Sequence, residues 1–228
     1  MNQIMSIILL LTFMFFPASS VDTSGNDTNS KENDRRMMML ELKKEAEDYY
    51  SEGDYYHAVR DYQWLIDYEP QNPQYYFRLC FASRMSVGEQ VALLFGRRGL
   101  ELIGWTPGVP INDVEEGLAI KIMAQIYSSY EEYEKAVVYW DALWEYVSNP
   151  YSYHMDIELE IFVLYFRAEA YQKTGDDHTA RAIVEYVINN EIYENWYKQI
   201  KAYQIRGDSR TYYYEKIMTM YETYHLIP

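Results

Sequence analysis

Four histidines (His57, His154, His178 and His225) and one cysteine (Cys80) are the side chains with which this chain would hold a transition metal or form a covalent intermediate. Their spacing argues against both. Zinc sites draw Cys, His and carboxylate ligands from short recurrent spacings such as HExxH, and none occurs here. His154 and Glu158 stand four residues apart and would share one helix face, which reads as a solvated face. A lone cysteine makes no intramolecular disulfide and no cysteine-based zinc site. Cys80 lies in the apolar run Leu79-Cys80-Phe81-Ala82, where it reads as a small buried hydrophobe. There is no glycine-rich phosphate loop and no GxSxG elbow. Catalysis, a metal and a cofactor are therefore not expected.

Composition narrows the partners. Apolar residues make up 49% of the 228 positions and charged residues 24%, the balance of a folded chain with its own core. Tyr is abundant, with 26 copies beside 8 Phe and 5 Trp. A tyrosine buries its ring and keeps a polar tip, which suits half-buried surfaces and partner contacts. The net charge of −15 repels nucleic acid and anionic membrane surfaces and favours basic partners. The Asp and Glu residues fall on expected helix surfaces, where they keep the protein in solution.

The first twenty residues read as a targeting segment. Ile4 to Phe16 are nearly all apolar, and Pro17-Ala18-Ser19-Ser20 follows. Small residues at Ala18 and Ser20 fit signal-peptide cleavage after Ser20. The run is shorter than the roughly 18–20 residues that span a bilayer. No Lys or Arg precedes it, and an uncleaved anchor is the other reading. No cysteine follows it, so a lipoprotein signal is absent. The expected mature chain is exported, periplasmic or secreted, soluble, and without a transmembrane span. Residues 21–36 are polar and read as a disordered tether containing the sequon Asn26-Asp27-Thr28.

Helical signals with a repeat fill the remainder. Leu42, Ala46 and Tyr49 share one helix face, Gly53-Asp54 makes a turn, and Ala58, Tyr62, Leu65 and Ile66 form a second stripe ended by Pro70. Ala58, Ala92, Ala136 and Ala180 stand 34, 44 and 44 residues apart at equivalent places. Loops absorb the surplus; one is Gly104 to Pro110, which cannot be helical, and the other lies around Ser148 to Met155. The segment from Tyr49 to Pro70 resembles the tetratricopeptide repeat (TPR), in which two antiparallel helices joined by a tight turn pack through small residues. The resemblance spans residues 37–228 and implies an all-α superhelix (solenoid) of four to five helix pairs. Its units lie near 39–72, 73–104, 117–150 and 161–190, with a divergent cap at 193–228.

In that family the first helix of each pair lines a concave surface. The resemblance maps that surface onto Lys43, Glu47 and Tyr50, then Phe77, Phe81 and Arg84, then Lys121, Gln125 and Ser128, then Tyr165, Glu169 and Gln172. Some members clamp a peptide carboxylate with Lys and Asn; Lys43 and Lys121 fit, but Glu47 and Gln125 stand where Asn belongs. Phe77, Phe81 and Tyr165 would form an apolar binding patch if exposed together, or else pack against neighbouring helices. Trp105 either folds back over the array or is itself a contact residue. The function expected is an exported scaffold or adaptor holding a protein or peptide. Alternatives are an apolar, lipid-like ligand carrier serving an envelope transport system, and a subunit that self-associates through its Tyr-rich faces.

Overall fold

The computed structural model describes residues 27–149, 156–203 and 211–226. The expected targeting segment, Asn26, His154 and residues 150–155 of the expected loop lie outside the described residues. Ten helices are described: α1 (Asp27–Glu52), α2 (Tyr55–Tyr68), α3 (Pro73–Ser86), α4 (Glu89–Leu102), α5 (Val114–Ser129), α6 (Tyr133–Val147), α7 (Ile157–Thr174), α8 (Asp177–Ile188), α9 (Glu191–Tyr203) and α10 (Tyr212–Leu226). Among the described residues none of them is long and apolar enough to cross a membrane.

Met1–Leu40 and Glu41–Pro228 are separate compact units. In the first, α1 begins at Asp27, so residues 27–36 of the expected disordered tether are helical. Opposite charges four apart, as at Glu32 and Arg36, favour a solvated helix in just such a sequence. Met37, Met38 and Leu40 are exposed there.

In the second unit one local geometry recurs. The amides of Asp54, Glu132 and Asp176 donate to the carbonyls of Tyr49, Tyr127 and Tyr171, five residues back, and Gly88 does the same to Ser83. Each bond closes a helix end, and four residues later come Ala58, Ala136, Ala180 and Ala92, all wholly buried. Their first-helix counterparts, Ala46, Cys80, Ala124 and Ala168, are wholly buried as well and carry the same 34, 44 and 44 spacing. Small side chains at both positions let paired helices approach closely. In three of these turns the residue before that amide is left-handed, Gly53, Glu131 and Gly175, whereas Val87 in the second has φ −109° and Gly88 takes the positive φ. Side-chain caps fix the helix starts: Asp54 accepts from the His57 amide, Asn72 from Gln74, Asp113 from Glu116, and Asp176 from Thr179. Each such cap is worth about 1 kcal/mol.

Neighbouring helices pack in three apolar clusters. Ala46, Ala58, Tyr62, Leu65, Tyr75 and Leu79 join α1, α2 and α3. The largest runs from Phe77 and Cys80 through Ala92, Ile120 and Met123 to Trp140 and Val163. The third holds Ile161, Leu164, Val184, Tyr193, Tyr214 and Ile217, joining α7 to α10. Tyr197 of α9 stacks on Tyr214 of α10 at 4.6 Å between ring centroids. In addition α10 lies against both α7 and α8.

Candidate functional site

The first helices of successive pairs are bridged along one face by polar and aromatic contacts. Glu47 and Tyr50 come from α1, Gln74, Arg78 and Phe81 from α3, and Asp113 and Glu115 from the start of α5. Arg78 is central. Its guanidinium donates to Glu115 at 2.8 Å, lies 3.7 Å from Glu47, and sits 4.6 Å from the Tyr50 ring centroid. Gln74 donates to Asp113 at 2.8 Å beside it. Tyr50 in turn contacts Phe81 at 5.4 Å between centroids, and Tyr55 closes on the same ring. Burial pushes the Tyr50 hydroxyl up to about 12, partly opposed by the Arg78 charge. The phenol therefore stays neutral and serves as a hydrogen-bonding tip.

The residues expected on this face divide. Glu47, Tyr50 and Phe81 are half-buried on it, and Lys43 is exposed one turn before Glu47. Phe77 is not on it. Its side chain is 2% exposed in the main core, and a Cβ placed on Gly99 of α4 would come within 2.5 Å of its ring. The missing side chain at Gly99 is what lets that ring in, so Phe77 packs between helices. The stripe of α3 that does face outward is Gln74, Arg78 and Phe81, spaced i, i+4 and i+7. That spacing, and the need for something large opposite Gly96 and Gly99, were the signals for the shifted register. Arg84 pairs with Glu89 at 2.8 Å across the α3–α4 turn.

Further along, Gln125 is half-buried, and Ser128 accepts a hydrogen bond from the indole of Trp140 at 3.1 Å, which turns it toward α6. Lys121 is half-buried with its ammonium 4.8 Å from the Phe162 ring centroid, and desolvation lowers its pKa. Tyr165 donates to Glu169 at 2.9 Å, and Gln172 is half-buried one turn on. The C-terminal helix covers this end: Tyr213 of α10 meets Phe162, Tyr165 and Phe166 at 4.9, 5.5 and 5.5 Å between centroids. Phe77, Phe81 and Tyr165 thus form no common patch. Phe77 is core, Phe81 is joined to Tyr50, and Tyr165 lies under Tyr213.

Away from this face, Trp105 takes the first of its two expected places and folds back. Its ring stacks on Tyr139 at 5.7 Å and its indole N–H donates to the Val109 carbonyl at 3.1 Å. Cys80 is fully buried and its thiol is pushed up to about 12 by desolvation, which keeps it protonated and unreactive. Among the described residues no group of three or more His, Cys, Asp or Glu is placed to hold a metal ion. The arrangement offers recognition chemistry: guanidinium, carboxylates, an amide and aromatic edges in one row. No protein-family model matches the sequence, and no curated protein matches it.

Proposed function

We propose that this chain is an exported tetratricopeptide-type array of helix pairs that holds a segment of another protein along the face carried by α1, α3 and α5, and that it performs no reaction itself. The observation that carries the reading is Arg78, held between Glu47 and Glu115 with the Tyr50 and Phe81 rings alongside. Arginine and tyrosine in a partly desolvated row are the residue types that dominate protein–protein contacts. The recurrence of turns and paired alanines supports the repeat family. Export is supported by the apolar run Ile4 to Phe16 followed by Ala18 and Ser20. The net charge of −15 favours a basic partner segment.

The test is a crosslinking pull-down from the native host with the chain from Val21 onward and an Arg78→Ala/Phe81→Ala control of verified helicity. A protein captured by the native chain and lost with the control is the expected result. Capture of the same set by both chains would defeat the assignment of this face. Recovery of a second copy alone would replace the adaptor by a self-assembling subunit. Amino-terminal sequencing of the exported protein checks cleavage after Ser20; an intact Met1 in that fraction would defeat it.

A further inference from the structure

A cavity of about 140 Å³ lies between α5, α6 and α7. Val114, Leu118, Leu143, Val147 and Leu159 give it an almost wholly apolar wall, and Lys121 is the one charged side chain on it. A cavity of about this volume holds a molecule the size of benzene. An ammonium beside such a wall is costly, because the charge loses water without gaining a counter-ion. The other half-buried cations of the first and second helices have found theirs: Arg78 has Glu115, Arg84 has Glu89 and Arg167 has Asp141 at 2.5 Å. Among the described residues Lys121 makes no ion pair and no hydrogen bond. It has the Phe162 ring face, and Asp156 acts on it only as a more distant charge.

We propose that this cavity is a binding site for a small amphipathic monocarboxylate, with a ring or short hydrocarbon body among Leu118, Leu143 and Leu159 and the carboxylate on the Lys121 ammonium. The assignment rests on complementarity of both parts. An apolar wall of this kind disfavours a polar ligand body, and a single desolvated cation selects one negative charge. On a protein carrying −15 overall, the global field disfavours anions, so retention depends on this local contact. A ligand here would give Lys121 the counter-ion it lacks, and its ordered contacts would tie α5, α6 and α7 together. The site is separate from the Arg78 row and stands whether or not that row binds a protein.

The probes are benzoate and its neutral counterpart benzyl alcohol, followed by ligand-observed NMR and thermal shift on the purified full chain. Benzoate is expected to saturate at millimolar concentration and to raise the melting temperature. It should bind at least about tenfold more tightly than benzyl alcohol. Lys121→Met keeps the side-chain length and removes the charge; Leu118→Phe fills the bore and leaves the amine. Each should weaken benzoate by at least about tenfold while circular dichroism shows the native helix content. Lys121→Gln serves if the Met variant does not fold. No saturation with benzoate, equal binding by the Lys121 variants, or benzyl alcohol binding as well as benzoate would each overturn the proposal.

Discussion

The guanidinium of Arg78 reaches 2.8 Å to the Glu115 carboxylate, 37 residues further along the chain, and so ties α3 to α5 on the face away from the core. Glu47 extends the link to α1. The acids retain appreciable access to water, so they are rehydrated if the arginine is removed. Arg78→Ala should therefore cost only about 1–2 kcal/mol. Arg78→Lys, which keeps the charge but loses the fork, should cost less. Urea unfolding midpoints measure both, and the difference should shrink in high salt.

Gly99 and Gly96 stand on one helix but should respond differently to a methyl group. At Gly99 a Cβ would lie 2.5 Å from the Phe77 ring and 3.2 Å from the Tyr76 Cβ, atoms held by the core and by the backbone. At Gly96 the nearest atoms are the Met123 sulfur at 2.8 Å and the Cys80 sulfur and Met123 Cγ at 3.1 Å, and the unbranched methionine adapts more readily than the Phe77 ring. Overpacking costs about 1–3 kcal/mol and the helix gains about 1 from losing a glycine. Gly99→Ala should be destabilising and Gly96→Ala close to neutral. Adding Phe77→Leu should recover part of the Gly99→Ala loss, as a double-mutant cycle would show.

Glu131 occupies, with φ 61°, the left-handed place that Gly53 and Gly175 hold in the equivalent turns. A side chain pays roughly 1–2 kcal/mol there, while glycine costs about 0.4–1 through the flexibility of the unfolded chain. Glu131→Gly should raise stability by about 0.5–1 kcal/mol, read as a higher melting temperature. The reverse change, Gly175→Glu, should lower it.

Alkaline pH should unfold the protein through its tyrosines. Burial raises the hydroxyls of Tyr50, Tyr75, Tyr139 and Tyr171 to about 12, from an ordinary value of 10.0. Tyr62, Tyr165 and Tyr193 are raised as well, again chiefly by burial. The unfolded chain then loses protons before the folded one. The stabilisation is complete below pH 10 and declines as pH rises from 10 toward 12. The share of the tyrosinate absorbance that comes from these buried rings should appear in a steep step that coincides with the loss of helical circular dichroism. Gradual titration with helicity intact would count against it.

The repeat was legible because it depends on rare local requirements. Ala58, Ala92, Ala136 and Ala180 announce close helix contacts through their size and spacing, and Gly53-Asp54 and Gly175-Asp176 announce turns. Glu131 was silent, since tertiary packing there overrides a poor local preference. The register of α3 was misread at Phe77 because helical periodicity alone ranks an aromatic residue equally well on two adjacent stripes. Only the glycines of α4 break that tie. The Tyr213 cover over Tyr165 was illegible, since nothing in a divergent final pair states which earlier helix it will lie upon. The family resemblance places Lys121 on the partner face but says nothing of its burial, because its surroundings come from Phe162 and the walls of two other helices, far away in the chain.

Phe95 flanks both the first and second apolar clusters, and Trp144 flanks both the second and third. Each cluster otherwise draws on helices close together in the chain. Further aromatic contacts join the same clusters: Tyr50 with Phe81 between the first two, and Tyr213 with Phe162 and Phe166 between the last two. Loss of α10 would uncover Phe162, Tyr165 and Phe166, whereas the Arg78 contacts use none of its residues and would remain.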